Sequence, residues 1–194
     1  MRIEEKVWDD NESIYKLKIP NKEIRIVFTN FFKKWVIDSY KTGGQKTKLK
    51  KFCDAIEKGN IEGMENFLNN FLRTTISIKD YSGKKTQKES LYHGILLGLL
   101  KPQYERWDCY SNVETGDGYA DIMLGLLDGK TGIIIELKYA RSENLDFYCN
   151  EALEQINNKN YIEQLLDDGY HQVIKYAIAF FKKNCKVVKK EEKL

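Results

Sequence analysis

Residues 119–139 read YADIMLGLLDGKTGIIIELKY, and this stretch decides the fold. Two apolar runs flank Asp128-Gly129, a pair that favours tight antiparallel hairpins because glycine accepts positive φ. The second run, 131–139, is apolar at Ile133, Ile134, Ile135 and Leu137. Strand side chains alternate, so consecutive apolar positions mean cover on both faces. The run therefore reads as a central strand. Counting outward from the turn gives an approximate register in which partner numbers sum to 257, as 128 and 129 do. Asp121 then faces Glu136 across the hairpin. Lys138 follows two residues on, along the same face as Glu136.

Around this hairpin the pattern predicts an α/β fold. Strand-like runs lie near 109–115, 119–127 and 131–139, with Gly116-Asp117-Gly118 turning the first into the second. An apolar helix over Glu89–Leu100 precedes them and ends at Lys101-Pro102. A long helix is expected over Leu145–Leu166, then a strand over Val173–Phe181 and a possible short one over Lys186–Lys189. The order is helix, three-strand meander, helix, strand. Lys79–Lys88 is polar and reads as a loop, which places a domain boundary between residues 1–78 and 79–194. The first part is expected to be a helical N-terminal appendage. Phe28, Phe31, Phe32 and Trp35 share a helix face, as do Leu49, Phe52, Cys53 and Ile56, and Ile61, Met64, Phe67, Leu68, Phe71 and Leu72. Gly59 and Asn60 fit the stop of one helix and the cap of the next. Ile14–Ile19, ending at Pro20, reads as an edge strand or extended arm.

Composition narrows the class. The chain has 194 residues, room for one domain and a small appendage; 42% are apolar and 31% charged, which is globular rather than disordered. A net charge of +3 excludes a polybasic protein but allows a locally basic groove. Cys53, Cys109, Cys149 and Cys185 are widely spaced, with no Cys-x-x-Cys, so zinc is not expected and buried, reduced thiols are. MRIEEKVWDDNES lacks a signal-peptide layout, and the apolar run 91–100 is about half the length that spans a bilayer. The expectation is a cytoplasmic protein without a membrane partner.

The chemistry concentrates in the hairpin. Glu-x-Lys is uninformative by itself: it occurs at Glu4/Lys6, Glu136/Lys138 and Glu191/Lys193. Only the middle pair sits in an apolar strand, where charge is costly unless paired or bound to metal. Carboxylates placed directly opposite each other repel. A hard divalent cation such as Mg²⁺ resolves that repulsion with oxygen ligands, and it can polarise a phosphoryl oxygen or lower the pKa of a bound water. A neighbouring ammonium adds stabilisation of developing negative charge. The competing reading is a buried Asp–Lys–Glu network that fixes strand register.

These residues resemble the PD-(D/E)xK nuclease superfamily, in particular the nuclease domain found C-terminal to AAA-type ATPase-like domains in prokaryotic proteins. The matching stretches are ESLYHGILLGLL (89–100), SNVETGDGYADIML (111–124), GIIIELKYA (132–140), EALEQINNKNY (151–161) and YAIAFFKKNCKVV (176–188). The resemblance implies a restriction-endonuclease-like core and metal-dependent phosphodiester hydrolysis, with DNA the expected nucleic acid and Mg²⁺ or Mn²⁺ the cofactor. By position it implies Asp121, Glu136 and Glu89 as metal residues and Lys138 as the catalytic lysine. Gln155 and Tyr161 resemble the glutamine–tyrosine signature on the following helix. Tyr119 departs from the basic residue expected after Gly-Asp-Gly, which bears on substrate contact at Gly118 and Tyr119. Residues 1–78 would correspond to the tail of an ATPase-like part, a possible partner, yet TGGQKTK (42–48) is no Walker A. The alternative function is a non-catalytic nucleic-acid-binding or partner-docking module of the same fold.

Secondary candidates carry bland readings beside functional ones. His93, four residues after Glu89, could touch substrate or metal, or bond Glu89. His171 reads as a surface residue. Gly94 and Gly98 suggest close helix–sheet packing. The lysines of 41–51 and 182–190 could follow a phosphate backbone, or be solvated faces. Tyr104, Trp107 and Tyr110 could stack on bases, or be core.

Overall fold

The computed structural model describes residues 2–9, 12–18, 45–75, 85–115, 118–158 and 161–193. The expected helix face Phe28–Trp35 lies outside them. Strands β1 (Arg2–Asp9) and β2 (Glu12–Lys18) pair antiparallel as a two-stranded sheet. The sequence reading anticipates β2 but not β1, whose RIEEKVWD shows no clear period. The N-terminal region is thus not helical throughout.

Helices α1 (Gln45–Glu57) and α2 (Ile61–Thr75) follow the expected stripes. Phe52, Cys53, Ile56, Met64, Leu68, Phe71 and Leu72 are buried, and the Phe52 and Phe67 rings stack at 4.4 Å. The break between the helices is chemical. Gly59 takes φ +70°, which an L side chain rarely adopts, and Asn60 Oδ1 caps α2 by accepting the Gly63 N–H at 3.0 Å.

Helix α3 (Lys85–Leu100) starts inside the segment expected to be a loop, so 85–88 is helical. Its GxxxG does not mark close packing at Gly94: a Cβ there would meet nothing within 4 Å, because Gly94 lies on the exposed side. Strands β3 (Trp107–Thr115), β4 (Gly118–Leu126) and β5 (Thr131–Tyr139) form the expected meander. The expected long helix is two, α4 (Leu145–Asn158) and α5 (Tyr161–Asp167). They span the crossover to β6 (Gln172–Phe181), which lies parallel to β5 as such a connection requires. The expected short last strand is longer: β7 (Asn184–Lys193) pairs with β6 from Phe181↔Asn184 to Gln172↔Lys193. Its lysines hid the strand pattern, but lysine suits an edge strand that must not recruit another.

The five-stranded sheet runs β3-β4-β5-β6-β7. On one face Ile133, Ile135, Leu137 and Tyr139 join Tyr176, Ile178 and Phe180 against α1, α2 and α3. On the other, Met123, Ile134, Ala177 and Ala179 pack under α4 and α5. Helices therefore cover both faces, and β5 is the central strand its sequence announces. All four cysteines are buried, and none is in a disulfide. Among the described residues, no helix is long and apolar enough to cross a membrane.

Candidate active site

The hairpin register is the one counted from the turn: Ile122↔Ile135, Met123↔Ile134, Leu124↔Ile133 and Gly125↔Gly132, each summing to 257. The ladder then stops, one position short of Asp121 and Glu136. The β3–β4 ladder also steps over Asp121, pairing Ser111↔Ile122 and then Val113↔Ala120. Asp121 thus stands outside the paired positions of both ladders, and β4 leaves β5 at this residue.

Two carboxylates occupy the edge of β5 that β4 has left. Asp121 Oδ2 accepts the Leu137 main-chain N–H at 2.9 Å. Glu89 Oε1, from α3, accepts the Tyr139 N–H at 3.2 Å. Two backbone donors that a continuing strand would satisfy are met by acidic side chains instead.

Glu136 is 2% exposed, and its Oε2 is buried with no hydrogen-bond partner among the described residues. Burial, and then the nearby Asp121 charge, push its pKa up to about 8, while Lys138 pulls the other way. Burial also raises the Asp121 pKa, against the pull of the Leu137 N–H. Lys138 shares the Glu136 face, as alternation requires: its Nζ lies 3.5 Å from Glu136 Oε1. The same Nζ donates to Gln155 Oε1 on α4 at 2.5 Å. Gln155 also bonds the Tyr161 phenol at the start of α5, and burial raises that phenol's pKa. Beside Glu136 and Lys138 on β6 stand Ala177 and Ala179. Their small side chains on this face leave height for the Gln155–Lys138 contact.

The structure thus brings Asp121, Glu136, Lys138, Gln155 and Tyr161 together. Glu89 reaches the same split from the opposite helix layer. Among the described residues no three His, Cys, Asp or Glu side chains converge as a metal cluster. The Glu89 charge nevertheless acts on Asp121, raising its pKa alongside burial. His93 Nε2 lies 3.0 Å from the Asp121 main-chain oxygen and 3.1 Å from Ser111 Oγ. Gly118 and Tyr119 pair with Thr115 and Glu114 at the far end of β4, and the Tyr119 side chain lies outside the described residues. His171 is exposed, Trp107 is core at 1% exposure, and Tyr104 and Tyr110 are exposed at 71% and 53%. Lys48, Lys50 and Lys51 are exposed on α1.

Sequence reasoning missed Ser111 and the Leu137 and Tyr139 N–H groups. Main-chain donors leave no mark on residue type, so no signal pointed to them.

Asp121 stands at the strand split, with Glu136 and Lys138 on one face of the next strand. The model of the PD-(D/E)XK nuclease superfamily matches residues 87–190. The chain belongs to that superfamily. The matched span contains α3 from residue 87 on, the five-stranded sheet but for the last residues of β7, and Glu89, His93, Asp121, Glu136, Lys138, Gln155 and Tyr161. Among curated proteins none matches. The solved structure "Crystal structure of SSO0001" is similar at 13% identity, over 86% of this chain and 79% of that chain, with a TM-score of 0.39. Superfamily members are generally nucleases, hydrolases of phosphodiester bonds that use divalent metals, and a nuclease fold implies a nucleic-acid substrate.

Proposed function

We propose that this chain is a divalent-metal-dependent nuclease that hydrolyses phosphodiester bonds in DNA. One observation supports the reading: a buried Glu136 Oε2 with no hydrogen-bond partner among the described residues, beside a second carboxylate and a lysine. A buried carboxylate oxygen without a donor is costly, and a second nearby carboxylate raises the cost. A hard cation relieves both, so the donor set fits Mg²⁺ or Mn²⁺.

In this reading Asp121 and Glu136 hold the metal. When bound, the metal would lower the pKa of a water and polarise a phosphoryl oxygen. The remaining work falls to side chains of this chain. Lys138 presents its charge where the attacking water and the phosphate meet, countering negative charge that grows in the transition state. Gln155 fixes that charge: a lysine only donates and the amide oxygen only accepts, so the 2.5 Å bond has one polarity. Tyr161 holds Gln155 in turn. Glu89 anchors the main chain at Tyr139, one residue past Lys138.

The test is cleavage of end-labelled single-stranded, duplex and branched DNA, with RNA as comparison, in Mg²⁺, Mn²⁺ or chelator. The reading predicts metal-dependent cleavage of a DNA form and none in chelator. Cleavage that persists in chelator, or no cleavage of any polymer with either metal, contradicts it.

A further inference from the structure

The Asp121 carbonyl is where a ladder bond would be if β4 kept its partners. Among the described residues neither ladder pairs Asp121: the β4–β5 ladder ends beside it, while the β3–β4 register runs on unchanged past it, and a histidine ring from another layer lies against its main-chain oxygen. We infer that His93 is a positioning residue: it fixes the Asp121 main chain where β4 parts from β5, so that the Asp121 carboxylate stays aimed at Leu137 and Glu136. This inference rests on the proposed metal site and deepens it.

The chemistry is directional. A carbonyl oxygen accepts only, so His93 Nε2 carries the hydrogen and donates it at 3.0 Å. The Ser111 hydroxyl, 3.1 Å from the same nitrogen, takes a share of that hydrogen. Ser111 pairs with Ile122, the residue after Asp121, so His93 sits where β3, β4 and α3 meet. Glu89 lies one helical turn before His93 on α3 and takes the Tyr139 N–H of β5. Helix α3 therefore grips both sides of the split, a carbonyl of β4 through His93 and an N–H of β5 through Glu89. Without His93, the part-buried Asp121 carbonyl loses a donor and its residue is held less firmly. Groups that orient a metal ligand commonly change metal affinity by 10–100-fold, without touching the metal.

Three variants test this: His93→Ala, His93→Gln, which restores an amide donor at similar reach, and Glu136→Gln. Mn²⁺ is titrated by calorimetry, and amide hydrogen exchange is followed at Leu137 and Ile133 without metal. DNA binding is measured in chelator. For His93→Ala we expect Mn²⁺ affinity to fall at least about 10-fold, with His93→Gln within about 3-fold of wild type. Leu137 exchange should rise at least about 10-fold in His93→Ala, while Ile133, deep in the ladder, stays protected. DNA affinity should not move. The inference is overturned if His93→Ala keeps wild-type Mn²⁺ affinity and Leu137 protection, or if only DNA affinity falls, which would make His93 a substrate contact. Where His93→Ala does not fold, shown by lost Ile133 protection, His93→Asn replaces it, its amide being too short to reach. Wild type that binds no Mn²⁺, or binds it as Glu136→Gln does, overturns the metal site itself and this inference with it. Wild type that binds Mn²⁺ but cleaves nothing overturns the nuclease reading alone.

Discussion

Asp121 Oδ2 accepts the Leu137 N–H at 2.9 Å, at the point where the strand carrying Asp121 parts from the strand carrying Leu137. A side chain thus closes the ladder that the backbone leaves open. The same bond orients the Asp121 carboxylate toward Glu136. Asp121→Ala removes both functions. Cleavage should fall by at least about 10²-fold, in line with losing an electrostatic group at a reaction centre. Stability should fall by about 1–3 kcal/mol, because the Leu137 donor is left unmet. Paired kinetics and denaturant melts check this, and an unchanged cleavage rate sinks the assignment.

Gln155 touches Lys138 and Tyr161 and holds one to the other. Gln155→Leu keeps the volume and removes the acceptor. We expect kcat to fall about 10–100-fold with little change in KM, since an orienting contact counts in the transition state. A drop confined to KM would show that Gln155 acts on substrate binding instead.

The metal-free protein should lose stability as pH rises. The Glu136 pKa in the fold is about 8 against an ordinary 4.5, so the native state holds a proton the unfolded chain has released. That contribution is fully present below about pH 4.5 and is lost as pH climbs through about 8. Asp121, also shifted up, acts in the same direction. Glu136→Gln removes the main titration. In chelator at pH 8 it should gain about 2 kcal/mol, or roughly 4–8 °C in a domain of this size. Melts of both proteins from pH 5 to 9 decide the matter; parallel curves would count against it.

Gly132 faces Leu165 of α5, and a Cβ there would stand 2.7 Å from the Leu165 Cδ1. Gly132→Ala should cost about 1–3 kcal/mol through overpacking. Leu165→Ala in the same chain should recover part of it, giving a coupling of about 0.5–3 kcal/mol in a double-mutant cycle. Additive effects would mean that α5 shifts freely over β5.

The sequence made the central hairpin legible because two constraints agree there. Asp128-Gly129 fixes the turn, and consecutive isoleucines fix the central strand, so the register follows by counting. Glu136 and Lys138 were legible because charge in such a strand is conspicuous. The break between Asn158 and Tyr161 was not, since Ile156, Tyr161 and Leu165 keep apolar spacing through it. Strand β7 was hidden by its lysines, although Cys185 and Val187 do point inward. The work of His93 was open in the sequence because it depends on where β4 leaves the sheet. That departure lies in backbone geometry, which residue types do not record.

The most direct measurement compares wild type with Lys138→Ala on the preferred DNA form in Mg²⁺, with circular dichroism and melting to confirm that both fold. The site described here predicts metal-dependent cleavage by wild type and a loss of at least about 10²–10³-fold in Lys138→Ala, at similar thermal stability. A folded Lys138→Ala that cleaves as fast as wild type contradicts it.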